Sequence, residues 1–319
     1  MGLYVVFFGS LLILFYVYAG YPLLVVVLGR LRNRGVKKGA FAPTVTILIA
    51  ARNERASIRK TLTNLLAADY PQYLIEIIVI SDGSTDGTDE IVQEFAPRGV
   101  RLIRQEPRAG KTAALNLAAP QAKGEILVFA DANSEYAPEA LAELMANFKD
   151  PAVGYVTGKM IYADPEGTTI GDGCSAFMKY ENFLRLYETK VGSIFGVDGG
   201  IDAVRRALFH SMKADQLPDF VLPLHVVEQG FRVIYEPKAI LRETTLQNTE
   251  DEYRMRVRVA LRALWAIRDM RRLLNPFRFG LFSLQFWSHK VLRYLAFFFL
   301  PLAYGANLAL LGKDDFYTF

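Results

Sequence analysis

Two long uncharged apolar runs bracket this chain, and between them the hydrophobic pattern switches period several times. Residues 3–28 contain no charged side chain, and about 20 apolar residues suffice to cross the hydrocarbon core of a bilayer. The first run therefore predicts a transmembrane helix over 1–29. No basic residue precedes it, it exceeds an ordinary signal-peptide core, and no clear small-x-small cleavage site follows, so a cleaved leader fits poorly. A second uncharged run, 294–311, lies between Lys290 and Arg293 on one side and Lys313 on the other. It predicts a second span over 290–312, with a tail at 313–319.

Between these runs, short β-branched segments alternate with segments of helical spacing. Residues 45–51 read as a strand ending in Arg52-Asn53-Glu54, and Ile58, Leu62, Leu65 and Leu66 follow at helical spacing. A second strand, 75–80, ends in Ser81-Asp82-Gly83-Ser84-Thr85-Asp86-Gly87-Thr88. A helix then runs to about Phe95, and Asp86 is either its cap or a ligand-facing carboxylate. A third strand over 100–103, a helix over 111–119 and a fourth strand over 126–130 complete the pattern, the last ending in Asp131-Ala132-Asn133. Strands alternating with helical crossovers predict an α/β, doubly wound, parallel sheet. Right-handed crossovers place the polar strand ends on one edge, where ligands collect in open sheets.

Residues 153–241 read as mixed, with strands at 153–162 and 231–235 and helices at 176–189 and 221–229. From 251 to 274 a helical pattern interleaves Arg254, Arg256, Arg258, Arg262, Arg268, Arg271 and Arg272 with Met255, Val257, Leu261, Leu264, Trp265 and Ile267. That mixture suits a helix lying in the membrane interface. A second such segment at 277–287 extends the predicted interfacial region to 251–289.

Charge and composition narrow the function classes. A formal net charge of +4 over 319 residues gives no support for a nucleic-acid partner. Arg30, Arg32, Arg34, Lys37 and Lys38 crowd the linker 30–43, which by the excess of positive charge places that flank, and the domain after it, in the cytoplasm. The one cysteine, Cys174, excludes an internal disulfide and reads as a small buried apolar residue. The three histidines, His210, His225 and His289, are scattered and form no Cys/His metal motif. The sequence stops eight residues after Leu311, just past Phe316 and Tyr317, as expected of a piece of a longer membrane protein.

The polar strand ends, taken together and in order, resemble those of the family 2 glycosyltransferases. These are membrane-attached enzymes of GT-A fold that move a sugar from a nucleotide-sugar donor to an acceptor with inversion. The resemblance covers about 44–262 and implies a GT-A glycosyltransferase domain over 44–250, with a mixed sheet. Ala51, Glu54 and Asp82 correspond to the nucleoside-binding edge, and carboxylates there can accept from a base N–H. Arg108-Ala109-Gly110-Lys111-Thr112 is similar to the Gly-Lys element, where Lys111 and free backbone N–H groups would meet the donor diphosphate. Asp131-Ala132-Asn133 is similar to the metal-binding D-x-D, with Asn133 in place of the second Asp. Asp131 would serve donor and metal, Asn133 the metal alone, and the implied cation is Mg²⁺ or Mn²⁺.

Gly196-Val197-Asp198-Gly199-Gly200 resembles the acceptor-lining segment, which assigns Asp198 and Gly199 to the acceptor. Without the resemblance it is a Gly-rich turn before a helix. Pro218-Asp219, set before Leu222, Leu224 and Gly230, matches the Glu-Asp element, with Pro218 replacing Glu and Asp219 falling on the catalytic base. Read alone, Asp219 is a helix N-cap. Met255-Arg256-Val257-Arg258-Val259 aligns with Q-x-x-R-W and keeps only Arg258 as a donor contact, an erosion that weighs against processive polymerisation.

The expected function is a multi-pass inner- or plasma-membrane enzyme transferring a sugar from a UDP-sugar to a lipid-linked or growing glycan acceptor beside the lipid bilayer. The alternative is a non-catalytic, nucleotide-sugar-binding membrane subunit of a polysaccharide synthesis or export assembly.

Overall fold

The β-branched runs form β1 (Val45–Ala51), β2 (Ile75–Asp82), β3 (Val100–Gln105) and β4 (Ile126–Asp131), all parallel and ordered β3-β2-β1-β4. The computed structural model describes residues 1–163, 169–244, 249–311 and 313. Ile47, Leu48, Ile49, Ile78, Val79 and Ile80 are fully buried, as required of strands covered on both faces. Successive side chains alternate between two cores. Ile47 and Ile49 join the cluster of Leu62 and Val92 on one face, while Leu48 joins that of Leu115 and Phe129 on the other. Register pairs Ala51 with Ser81, Asp82 with Gln105 and Ala50 with Asp131, which brings the polar strand ends to one edge.

Beyond β4 the sheet departs from the all-parallel pattern of its first half. Strands β5 (Glu135–Tyr136), β6 (Val153–Ala163), β7 (Ile201–Arg205) and β8 (Arg232–Thr244) complete the order β3-β2-β1-β4-β7-β6-β8-β5. β7 runs antiparallel to both β4 and β6, whereas β6 and β8 are parallel. The Gly-rich segment 196–200 therefore leads into a buried strand rather than a helix. β8 passes well beyond the predicted end at 235 because a register shift between Thr157 and Lys159 of β6 absorbs Glu236-Pro237-Lys238, a bulge being the place where a sheet tolerates proline.

Two helices, Gly2–Arg32 and Leu281–Leu310, are long and apolar enough to cross a membrane. They pack antiparallel: Phe7 meets Ala306 and Leu310, and the Tyr16 hydroxyl lies 2.7 Å from Ser288 Oγ. Near the globular domain, Glu188 accepts from the Tyr21 hydroxyl and from His289 Nδ1. Leu12, Phe15, Phe297 and Leu300 leave large apolar surfaces exposed, as lipid-facing side chains would. The second helix starts at Leu281 instead of 290, because Phe282 and Phe286 belong to the domain core with Phe195 and Phe220. The basic helix Thr249–Asp269 precedes it and inserts Ala263 and Ala266 into the same core. The side chain of Cys174 and the residues about Phe316 and Tyr317 lie outside the described residues.

One buried ion pair ties the helix Thr169–Val191 to the loop before β7. Arg185 Nη1 donates to Asp198 Oδ1 at 2.7 Å, and both side chains are almost fully buried. Removing one partner leaves an uncompensated charge, which costs about 3–5 kcal/mol, whereas replacing both with apolar groups of like volume is near neutral. Asp198→Ala should therefore lower the unfolding midpoint by several degrees in a thermal melt, and Arg185→Met with Asp198→Leu should recover most of it. An unchanged midpoint in Asp198→Ala would contradict this role.

Candidate active site

At the end of β2 the Asp82 carboxylate is buried and holds the following loop. Gln105 Nε2 and the Ala109 N–H donate to Oδ1 at 2.6 and 2.8 Å, and the Gly110 N–H donates to Oδ2 at 2.9 Å. Burial alone would raise its pKa, but these donors and nearby Arg108 outweigh it and hold the carboxyl below its usual value. Asp82 thus shapes the Gly-Lys turn directly. Its neighbour Asp86 accepts from the N–H groups of Arg55 and Thr88, so it stitches the β1 and β2 ends together. Ala51 is buried at the end of β1, and Glu54 accepts from the Ser57 hydroxyl at 2.6 Å.

The Gly-Lys turn opens the helix Lys111–Ala118. Lys111 Nζ donates to Asp131 Oδ1 at 2.6 Å. Burial works against its charge, yet Asp131, Asp219 and Asp202 together raise the lysine pKa and keep the ammonium protonated. Further along the same helix, the Thr112 hydroxyl donates to the Gln216 carbonyl, and Asn116 brackets Met212, donating to its carbonyl and accepting from its N–H. The element that would meet the donor diphosphate thereby also fixes the segment leading into Asp219.

Asp219 lies in the first turn of the helix Pro218–Glu228, whose N-cap is Leu217; it does not cap. Its carboxyl is pressed against the backbone of Gly199. Gly199 has φ +82, and a Cβ built there would fall 2.5 Å from the Asp219 carboxyl carbon, so only glycine fits. Burial pushes the Asp219 pKa up; Lys111 opposes this, and Asp131 and Asp198 add to it. Behind Gly199, the buried Asp202 accepts from the Gly199 N–H at 2.9 Å. Its pKa is pushed up to about 8, chiefly by burial, with the charges of Asp219 and Asp198 adding.

A cavity of about 560 Å³ lies between Asp219 and the second apolar helix. Asp131, Asp219 and Glu243 line it together with Glu181, Lys290, Arg293 and Tyr294. Met255, Arg256, Val259, Ala260 and Ala263 form a wall from the basic helix. Those positions share one helical face, from which Arg258 is turned away. Arg258 is exposed and does not line the cavity, so the basic side chain that this helix brings to the wall is Arg256. Asn133 donates from Nδ2 to Glu243 Oε1 at 3.2 Å, and burial followed by the Asp131 charge raises the Glu243 pKa.

Glu243, Asp202 and Lys290 escaped the sequence reading. Glu243 lies beyond the proline that ended the predicted strand, Asp202 sits in an unpredicted one, and Lys290 marked only a span boundary. The sole available signal was a charged residue within an otherwise buried or apolar stretch.

Residues 46–212 match the family described as glycosyl transferase family 2. The chain is 32% identical over 216 residues to beta-monoglucosyldiacylglycerol synthase of Nostoc, covering 66% of this chain and 46% of that one. It is 27% identical over 274 residues to poly-beta-1,6-N-acetyl-D-glucosamine synthase of Staphylococcus aureus, covering 79% and 64%. The chain spans about half the length of the first of these relatives. In fold it superposes on the mannosyltransferase PcManGT of Pyrobaculum calidifontis, solved with GDP-Man and Mn²⁺, with TM-score 0.78, 24% identity and coverage of 97% and 88%. A mixed sheet of GT-A type, the ordered polar strand ends and a family match over more than half of its length establish that this chain belongs to glycosyl transferase family 2.

Proposed function

We propose that the chain is a membrane-anchored, inverting glycosyltransferase whose catalytic domain faces the cytoplasm and whose donor is a nucleoside diphosphate sugar. One observation carries this reading: Asp131 and Asp219 line one cavity together with residues of the second apolar helix, and Lys111, beside both carboxylates, donates to Asp131. Lys111 and the N–H groups at its helix start would take the diphosphate, and Ala51, Glu54 and Asp82 would form the nucleoside edge, Asp82 chiefly by holding the loop. Asp219 would accept the proton of the acceptor hydroxyl as its oxygen attacks the anomeric carbon and the nucleoside diphosphate leaves. A single displacement of this kind inverts the anomeric centre. Gly199 serves this step by letting Asp219 sit against the backbone, and Asp198 acts through its ion pair with Arg185. The UDP form implied by the resemblance is the first donor to assay.

A lipid-linked or glycan acceptor fits a cavity bounded by the second apolar helix. The names of the relatives point the same way, one a glucosyldiacylglycerol synthase and the other a polysaccharide synthase. The basic linker after the helix Gly2–Arg32 supports the cytoplasmic side.

The donor set also fits a divalent cation. Asp131 and Asn133 are hard oxygen ligands on one strand end, and Asp131 already accommodates a cationic group, the Lys111 ammonium. Among the described residues no group of three His, Cys, Asp or Glu is poised for a metal, so further ligands would come from the donor. A bound Mg²⁺ or Mn²⁺ would supply charge to the departing diphosphate.

Asp219→Asn should retain donor binding and lose about 10²- to 10⁴-fold in transfer rate; full transfer by the folded variant would defeat the assignment. Since the unprotonated carboxylate is the base and its pKa lies above the ordinary 3.8, log(kcat/KM) should fall with unit slope below that raised pKa. A profile flat from about pH 4 to 7 would exclude such a base. Excess chelator should abolish transfer and added Mn²⁺ or Mg²⁺ restore it, while activity unchanged in chelator would remove Asp131 and Asn133 from cation binding.

A further inference from the structure

The cations that line the cavity are not equally satisfied. Arg185 is paired with Asp198, and Arg293 donates to Glu181. His289 is taken up by Glu188 and Glu181. Lys290 is different. It lines the same cavity as Asp219, yet no carboxylate lies within 4.0 Å of its ammonium among the described residues. Its contact is with the ring of Phe220, the residue after Asp219, 5.7 Å from ammonium to ring centre.

The backbone also makes room for it. Gly196 has φ +76, and a Cβ there would come within 3.2 Å of both Lys290 Cε and Nζ. Lys290 thus projects from a membrane-type helix into the reaction cavity, one ring away from the proposed base. An ionisable side chain in such a helix is costly unless it is paired or meets a ligand. An ammonium on a flexible stem is well suited to a phosphate as a compact point charge.

We propose that Lys290 binds a phosphate group of the acceptor, so that the acceptor is an anionic, phosphate-bearing lipid that reaches Asp219 along the helix Leu281–Leu310. This rests on the transferase reading above and adds the chemical class of its second substrate. The apolar wall of Met255, Val259, Ala260 and Ala263 receives the part of the lipid nearest the phosphate. Lys111, which donates to Asp131 and does not line this cavity, is kept for the donor diphosphate, and Lys290 is the cation offered to the acceptor.

The test uses the full chain in nanodiscs of zwitterionic lipid, with nucleoside diphosphate release as readout. A membrane lipid extract divided by anion exchange into anionic and neutral fractions supplies the acceptor, alongside a water-soluble sugar acceptor. The anionic fraction should support transfer and yield a product retained on the anion exchanger. Lys290→Met should raise the KM for that fraction about tenfold or more while leaving the donor KM unchanged, and Lys290→Arg should restore it. A thermal melt of Lys290→Met matching the parent chain confirms folding. Equal transfer to the neutral fraction, transfer to the sugar acceptor alone, or an acceptor KM untouched by Lys290→Met would overturn the proposal. So would a rise confined to the donor KM, which would assign Lys290 to the diphosphate. No release from the parent chain with any acceptor would instead sink the transferase reading, and this proposal with it.

Discussion

The structure depends on a single electrostatic constraint: one ammonium, Lys111, is held among Asp131, Asp219 and Asp202 at the edge of the sheet. Three acidic groups drawn from β4, β7 and the helix Pro218–Glu228 would repel one another in a half-buried site. The lysine relieves that repulsion. Two of the three carboxyls still have raised pKa values, chiefly through burial, Asp202 up to about 8.

The same centre is mechanically coupled to its surroundings. Asp202 holds Gly199 by its N–H, Gly199 gives Asp219 its seat, and Thr112 and Asn116 pin the segment that delivers Asp219. The first turns of the second apolar helix are core residues of the catalytic domain. Cavity and second apolar helix therefore share one packed core.

The first half of the fold was legible because β1 to β4 are buried on both faces and their apolar runs are unbroken. The strand ends were legible for the same reason, since polar residues stop those runs abruptly. What escaped notice lay where tertiary context overrides local pattern. Ile201–Arg205 is too short to declare its period, and β8 hides its continuation behind Pro237 at a bulge. Asp198 adds a role the motif did not show: it lines the cavity, as its place in a family-like motif suggested, and its carboxylate also pairs with a buried arginine from a distant helix. Arg258 survived in the sequence motif yet points away from the cavity, and only the helical phase of Met255 and Val259 reveals this.

As proposed, one carboxylate, Asp219, would drive a direct displacement with no covalent intermediate. The most direct measurement is the anomeric configuration of the newly formed linkage, read by proton NMR on product made from an α-linked nucleotide sugar. A β-linkage is the predicted result. An α-linkage would contradict a direct displacement, since retention requires either a covalent sugar intermediate or front-face attack.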